Sequence, residues 1–112
     1  MNIRNILICA LLMASFSAMA EFTTISRAYE AVLSDTRVPA TPNSGIIFKE
    51  CADCDMRTLR VTPDTQYLVN GKSVTLKDFR KSVFQVRERA NTAITILHHL
   101  ESDTVVSVSA TI

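Results

Sequence analysis

Alternating apolar and polar residues near the end of the chain predict two β-strands. Residues 93–100 alternate Ile94, Ile96 and Leu100 with Thr95 and His99, and residues 105–112 set four apolar side chains on one side and Ser or Thr on the other. A period of two residues buries one face of a strand and leaves the other in water, which is typical of antiparallel sheets. The polar residues 101–104 are enough to join the two strands as a hairpin. The residues predicted to face the core in the last strand are Val106, Val108, Ala110 and Ile112.

Shorter strands are predicted around two turn signals. Cys51-Ala52-Asp53-Cys54 lies between an apolar run and an alternating segment, and we place it at the tip of a hairpin. Asn70-Gly71 favours a two-residue hairpin turn, because both residues accept a positive φ. The strands predicted on the two sides of these turns are residues 46–48, 58–62, 66–69 and 72–74.

One short amphipathic helix is predicted directly after these strands. Thr75 is suited to cap its first turn, with the acidic Asp78 three residues later. An apolar stripe then recurs at helical spacing and is the expected core face of the helix. The members of this stripe are Leu76, Phe79, Val83 and Val86.

The region before residue 45 fits two kinds of structure. Residues 21–33 suit either a helical stripe or a strand in which Tyr29, Ala31 and Leu33 alternate, and the strand is favoured. Residues 34–45 are rich in Pro, Asn, Ser and Gly and read as a connector. The chain is thus divided into an N-terminal segment with its connector, 21–44, and a small β domain, 45–112. The expected fold is mainly β, a small antiparallel barrel or roll of five to six strands with one short helix.

The first twenty residues have the composition of a secretory signal peptide. Arg4 precedes an uncharged apolar stretch, residues 6–14, and small residues follow up to Ala18-Met19-Ala20. The export machinery recognises this order of features, and the apolar run is shorter than the roughly 20 residues that span a bilayer. The sequence predicts a leader over residues 1–20, cleavage after Ala20, and a periplasmic or secreted protein that is not integral to a membrane.

Charge argues against a polyanion as the general partner of the chain. Loss of Arg4 with the leader brings the 12 Lys and Arg residues of the chain level with its 11 Asp and Glu residues. An electroneutral domain gives no support to binding of nucleic acid. Five basic side chains fall within and after the predicted helix, where a solvated face is favoured over contact with lipid headgroups or cell-envelope polysaccharide. They are Lys77, Arg80, Lys81, Arg87 and Arg89.

Cys51 and Cys54 carry the most specific chemistry of the sequence. Export implies an oxidising compartment, and loss of Cys9 with the leader leaves this one pair, so a structural disulfide is favoured. A redox-active pair is a second interpretation, because Cys-x-x-Cys spacing can favour a reactive thiolate. The acidic neighbours Asp53 and Asp55 disfavour that chemistry.

A metal site is the third interpretation of the same cysteines. Zinc or copper would bind Cys51 and Cys54 with His98 or His99 as a further ligand. Neighbouring residues on a strand point to opposite faces, so at most one histidine can join the site. His98 shares the face of the buried isoleucines and is expected as a hydrogen-bonded core residue, whereas His99 is expected at the surface.

Three segments of the chain resemble a known kind of protein. Residues 45–54 (GIIFKECADC), residues 59–65 (LRVTPDT) and Asn70-Gly71 resemble small, exported, uncharacterised β-rich proteins of Gram-negative bacteria. In the order of their elements they are also similar to small β-barrel modules, in which a strand ending at Asp-Thr leads to a turn and then to a short helix that begins with Leu. The resemblance covers about two thirds of the chain after residue 20. It implies an exported β domain and brings no catalytic residue or substrate with it.

The expected function is a non-enzymatic binding or accessory domain. The sequence has no nucleophile elbow, phosphate loop or hydrolase motif. The expected partner is a cell-envelope component or another protein, and no cofactor is expected. A metal-handling or thiol-redox protein that uses Cys51 and Cys54 is the alternative.

Overall fold

The computed structural model describes residues 25–112, in which seven strands and one α-helix follow one another. The mainly β class with one helix is therefore confirmed, with one strand more than expected. The predicted leader, residues 1–20, lies outside the described residues. The elements are β1 (Ser26–Val32), β2 (Gly45–Phe48), β3 (Arg57–Arg60), β4 (Gln66–Val69), β5 (Lys72–Val74), α1 (Leu76–Phe84), β6 (Ala93–His99) and β7 (Thr104–Thr111).

Strand β1 settles the choice between helix and strand before Pro39. It pairs antiparallel with β6 over its whole length, from Ser26 opposite His99 to Val32 opposite Ala93. Tyr29, Ala31 and Leu33 are buried on one face, as the alternation predicts. The N-terminal segment thus belongs to the same sheet as the rest of the chain.

The sheet is mixed, so the prediction of an antiparallel sheet is wrong. One edge of β7 pairs antiparallel with β6, but its other edge pairs parallel with β3 at Arg60 and with β4 along Gln66–Val69. Alternation of side chains reports which face is buried, and it carries no information about the direction of the neighbouring strand. The chain returns from β4 to β7 through a long connection that contains β5, α1 and β6, and parallel pairing requires a long connection of this kind.

A β-bulge in β7 overturns part of the predicted core. The register between β6 and β7 shifts at Val106, which faces no residue of β6. Val105 is therefore buried and Val106 is exposed, while Val108 and Ala110 face the core as predicted. Ile112 follows the last strand and is also exposed. The extra residue reverses the alternation on one side of the bulge, which the sequence pattern does not reveal.

The sheet curls but does not close into a barrel. Strands β1 and β2 stand at the two ends of the strand order β1-β6-β7-β3-β2, and no ladder joins them within residues 25–112. Their side chains nevertheless meet, because the ring centroids of Tyr29 and Phe48 are 5.5 Å apart. After β1 the chain crosses to β2, where Arg37 and Ile47 exchange backbone hydrogen bonds of 2.7 and 3.1 Å. An open seam therefore remains between β1 and the end of β2.

Helix α1 covers one face of the curled sheet, as predicted. The N–H of Asp78 donates to the Thr75 hydroxyl at 3.2 Å, which satisfies one free donor of the first turn. Phe79 and Val83 are fully buried, and the ring of Phe79 lies 5.3 Å from that of Tyr67 on β4. Neither α1 nor the short 3-10 turns among residues 25–112 are long and apolar enough to cross a membrane.

Candidate functional site

Cys51 and Cys54 form a disulfide at the tip of the β2–β3 hairpin, as predicted. Their Cα atoms are 5.1 Å apart, and the N–H of Cys54 donates to the carbonyl of Cys51 at 3.2 Å. Cys51 is exposed, and Cys54 is half-buried. In this oxidised form neither sulfur is a thiolate, so neither is available as a nucleophile or a metal ligand.

The two histidines make their hydrogen bonds within the β6–β7 turn. His98 is buried, with 6% of its surface exposed, and its Nε2 lies 2.8 Å from a carboxylate oxygen of Asp103. His99 accepts a hydrogen bond at Nδ1 from the backbone N–H of Ser102. The expected core position of His98 is confirmed, and His99 is half-buried. Within residues 25–112 no three Cys, His, Asp or Glu side chains are grouped to hold a metal ion, so Cys51, Cys54, His98 and His99 are not brought together.

Tyr29 joins β1 to β3, the strand next to the other end of the curled sheet. The guanidinium of Arg57 on β3 donates to its hydroxyl at 3.0 Å, and the same group lies 5.1 Å from the centre of its ring. Arg27 on β1 also lies over the ring, at 5.0 Å. Glu50 completes this group through an ion pair of 3.5 Å with Arg57. These contacts join β1 to β3 across the sheet, and their role is structural.

A basic groove lies where α1 meets the connector between β1 and β2. Arg37 comes from the connector, Arg80 from α1 and Arg89 from the turn after α1, and all three line one groove of about 330 Å³. A second groove of about 340 Å³ shares Arg80 and adds Lys77. We call these two surfaces together the basic groove. Its side chains come from segments that are distant in the sequence.

Two arginines of the basic groove are fixed by backbone carbonyls. Arg80 donates to the carbonyl of Pro39 at 2.7 Å, and Arg89 donates to that of Val83 at 2.9 Å. The second contact places a cation at the C-terminal end of α1, where carbonyl groups lack helical partners. Within the described part of the chain, Arg57 pairs with Glu50, and the other contact of a basic side chain with a carboxylate is the hydrogen bond between His98 and Asp103. The basic groove therefore keeps its positive charge without a carboxylate partner there.

An exposed aromatic ring stands beside these charges. Phe84 ends α1 with 57% of its surface exposed, and the Arg80 guanidinium lies 5.0 Å from its ring centre. Phe84 lies outside the apolar stripe that α1 buries, so its ring does not pack in the hydrophobic core. An exposed ring beside cations suits contact with a partner that has an apolar part and a charged part.

The sequence interpretation included only part of the basic groove. It singled out Lys77, Arg80 and Arg89 but missed Arg37, whose position depends on the pairing of its backbone with Ile47. It also missed Phe84, although a large aromatic residue off the predicted helical stripe was a usable signal.

None of the protein-family models, curated proteins or solved structures with which the chain was compared matches it.

Proposed function

We propose that this protein is an exported, non-enzymatic accessory domain that binds the anionic surface of a cell-envelope membrane through its basic groove. One observation carries the proposal. Arg37, Arg80 and Arg89 come from three segments of the chain, line a single groove without carboxylate partners there, and stand beside the exposed Phe84.

Physical chemistry favours anionic lipid headgroups as the ligand of such a groove. Each Lys or Arg close to an anionic leaflet contributes about 1 kcal/mol of attraction. Guanidinium groups bind phosphate oxygens through two parallel hydrogen bonds, and aromatic rings partition into the interface between headgroups and acyl chains. Because the chain as a whole is close to electroneutral, the attraction belongs to this face and orients the protein on the surface.

The rest of the molecule has a supporting role in this proposal. The predicted leader would deliver the protein to the envelope, where anionic lipids are present. The disulfide would preserve the β2–β3 hairpin in an oxidising compartment. No catalytic step is needed for the groove to act.

Sedimentation with lipid vesicles tests the proposal. The protein purified after export is mixed with vesicles of phosphatidylcholine alone or with vesicles that also contain the anionic phosphatidylglycerol, whose negative surface potential attracts basic side chains. We expect the protein to sediment only with the anionic vesicles, and added salt to release it because it screens exposed charges.

A matched pair of variants assigns the binding to the basic groove. Arg37→Gln with Lys77→Gln removes two positive charges from it, and Arg60→Gln with Lys72→Gln removes two exposed charges elsewhere. We expect the first variant to bind at least about tenfold more weakly than the second, as about 1 kcal/mol per charge implies. Equal losses in both variants would contradict the proposal, as would binding to a soluble anionic polysaccharide without binding to vesicles.

A further inference from the structure

Among residues 25–112, no strand pairs with the outer edge of β1. Backbone hydrogen bonds from Leu33 to Thr92 and from Leu100 to Ile25 show that the odd-numbered residues of β1 face β6. The N–H and C=O groups of the intervening residues therefore point away from β6. Those of Ser26, Ala28 and Glu30 make no hydrogen bond with another described residue.

This edge opens into the seam between β1 and the β2–β3 hairpin. A groove of about 390 Å³ lies there, with Glu30 and Val32 of β1 among its lining residues and with Lys49, Glu50 and Cys51 contributed by the hairpin. We call it the seam groove. The disulfide holds the hairpin wall in place, so the groove is formed before any partner arrives.

The geometry of the edge specifies an extended chain as its occupant. Unpaired N–H and C=O groups in a row are satisfied by an added strand, which is the mode of peptide recognition called β-augmentation. Side chains of an added strand alternate between the two faces of the sheet. One set would lie beside the exposed Glu30, and the other beside the small buried Ala31.

The charge of the seam groove specifies which extended chain fits. Glu30, Asp35 and Glu50 line it against a single cation, Lys49, and Glu50 is the one carboxylate of these that also has an arginine partner. We propose that the seam groove binds an extended segment of a partner protein that pairs with β1 and carries Lys or Arg at alternate positions. This inference concerns a second surface and is independent of the proposed lipid binding.

A second copy of this chain suits the edge less well. The β1 strand of a second copy carries one cation, Arg27, and one carboxylate, Glu30, so it brings no excess of positive charge to the carboxylates of the seam groove. Like charges on neighbouring strands are destabilising, whereas a basic segment neutralises the same carboxylates.

Binding of three capped octapeptides tests this inference. The first alternates Val and Lys, the second alternates Val and Glu, and the third is the Val-Lys peptide with N-methyl groups on every second residue. Titration calorimetry on the unaltered protein, purified after export, is expected to detect only the first, because N-methylation removes the donors of an added strand. Absence of binding by the Val-Lys peptide, or equal binding by either of the other two, would overturn the inference.

A substitution in β1 locates the binding. Ala28→Pro removes an N–H that points away from β6 and leaves the ladder with β6 complete, since proline is tolerated on such an edge. Ala28→Thr is the control that keeps the N–H. We expect the Val-Lys peptide to bind Ala28→Pro at least about fivefold more weakly than the control, the effect of one hydrogen bond.

Two results at this position would contradict the inference. One is equal affinity of the folded Ala28→Pro and Ala28→Thr variants for the Val-Lys peptide. The other is a dimer, detected by light scattering, that Ala28→Pro abolishes, because it assigns the edge to a second copy. If Ala28→Pro fails to fold, the comparison with the N-methylated peptide on the unaltered protein decides.

Discussion

At the scale of single residues, two buried tyrosines differ in the hydrogen bonding of their hydroxyl groups. The Tyr29 hydroxyl accepts a hydrogen bond from Arg57 at 3.0 Å. The Tyr67 hydroxyl is buried and has no hydrogen-bond partner among residues 25–112, and burial raises the pKa of Tyr67 above its ordinary value of 10.0. The same side chain is therefore expected to contribute with opposite sign at the two positions.

Tyr29→Phe should destabilise the protein by about 1 kcal/mol, whereas Tyr67→Phe should be neutral or slightly stabilising, because a buried hydroxyl without a partner has only a desolvation cost. Above pH 10 the unfolded chain releases the Tyr67 proton while the native state keeps it, so stability should fall as the pH rises through and beyond that value. Urea unfolding between about pH 8 and about pH 11, on either side of the ordinary tyrosine pKa, measures the effect of each substitution and the loss of stability at alkaline pH. A steeper alkaline loss in Tyr67→Phe than in the unaltered protein would contradict this account.

At the scale of elements, the β4–β5 turn has the backbone that its sequence predicts. Asn70 and Gly71 have φ values of 52° and 82°, and a Cβ atom at Gly71 would meet no atom within 4 Å. The requirement for glycine is therefore conformational and not steric. Asn70 also holds the end of the chain, because its side-chain oxygen accepts a hydrogen bond from the N–H of Ile112 at 2.8 Å.

Gly71→Ala should consequently destabilise the protein by about 1 kcal/mol, the cost of a left-handed conformation for a residue with a Cβ atom. Gly71→Asn should cost less, because asparagine tolerates that conformation best among the other residues. Chemical denaturation of the two variants measures the difference. Equal stability of Gly71→Ala and the unaltered protein would show that the turn adopts another geometry in solution.

The contribution of the disulfide to the free energy of unfolding can be tested in the same way. It closes a loop of only four residues, so the chain-entropy model gives about 2 kcal/mol for its contribution. We expect the double variant Cys51→Ser with Cys54→Ser to remain folded and to melt at a lower temperature. A melting temperature equal to that of the oxidised protein would indicate that the pair serves something other than stability.

Local signals predicted the elements well, but they could not predict which distant strands pair with each other. The Thr75 cap, the Asn70-Gly71 turn and the Cys51–Cys54 hairpin each depend on residues close in sequence, and each is present. The bulge at Val106 lies in the β6–β7 hairpin, but alternation alone does not mark the inserted residue. The parallel contacts of β7 depend on β3 and β4, which lie far along the chain. For the same reason the sequence indicated the basic residues of α1 without showing that Arg37 joins them.

At the scale of the whole molecule, charge is separated although its sum is nearly zero. Between residues 76 and 91 basic side chains outnumber acidic ones five to two, whereas Glu50, Asp53 and Asp55 gather around the disulfide. A protein with this distribution is expected to meet an anionic surface with one side and a basic partner with another. The two proposed surfaces would thus let one small domain connect a membrane with a second protein.

The most direct test of lipid binding places a fluorescent reporter in the basic groove. The chain has no Trp, so Phe84→Trp introduces a single indole beside Arg80, and Val106→Trp introduces one at an exposed apolar position outside the groove. On vesicles containing phosphatidylglycerol and brominated lipid, we predict a blue shift and strong quenching for Phe84→Trp and neither for Val106→Trp. An indole at position 84 that stays unquenched while the protein sediments with the vesicles would contradict the claim that this groove faces the membrane.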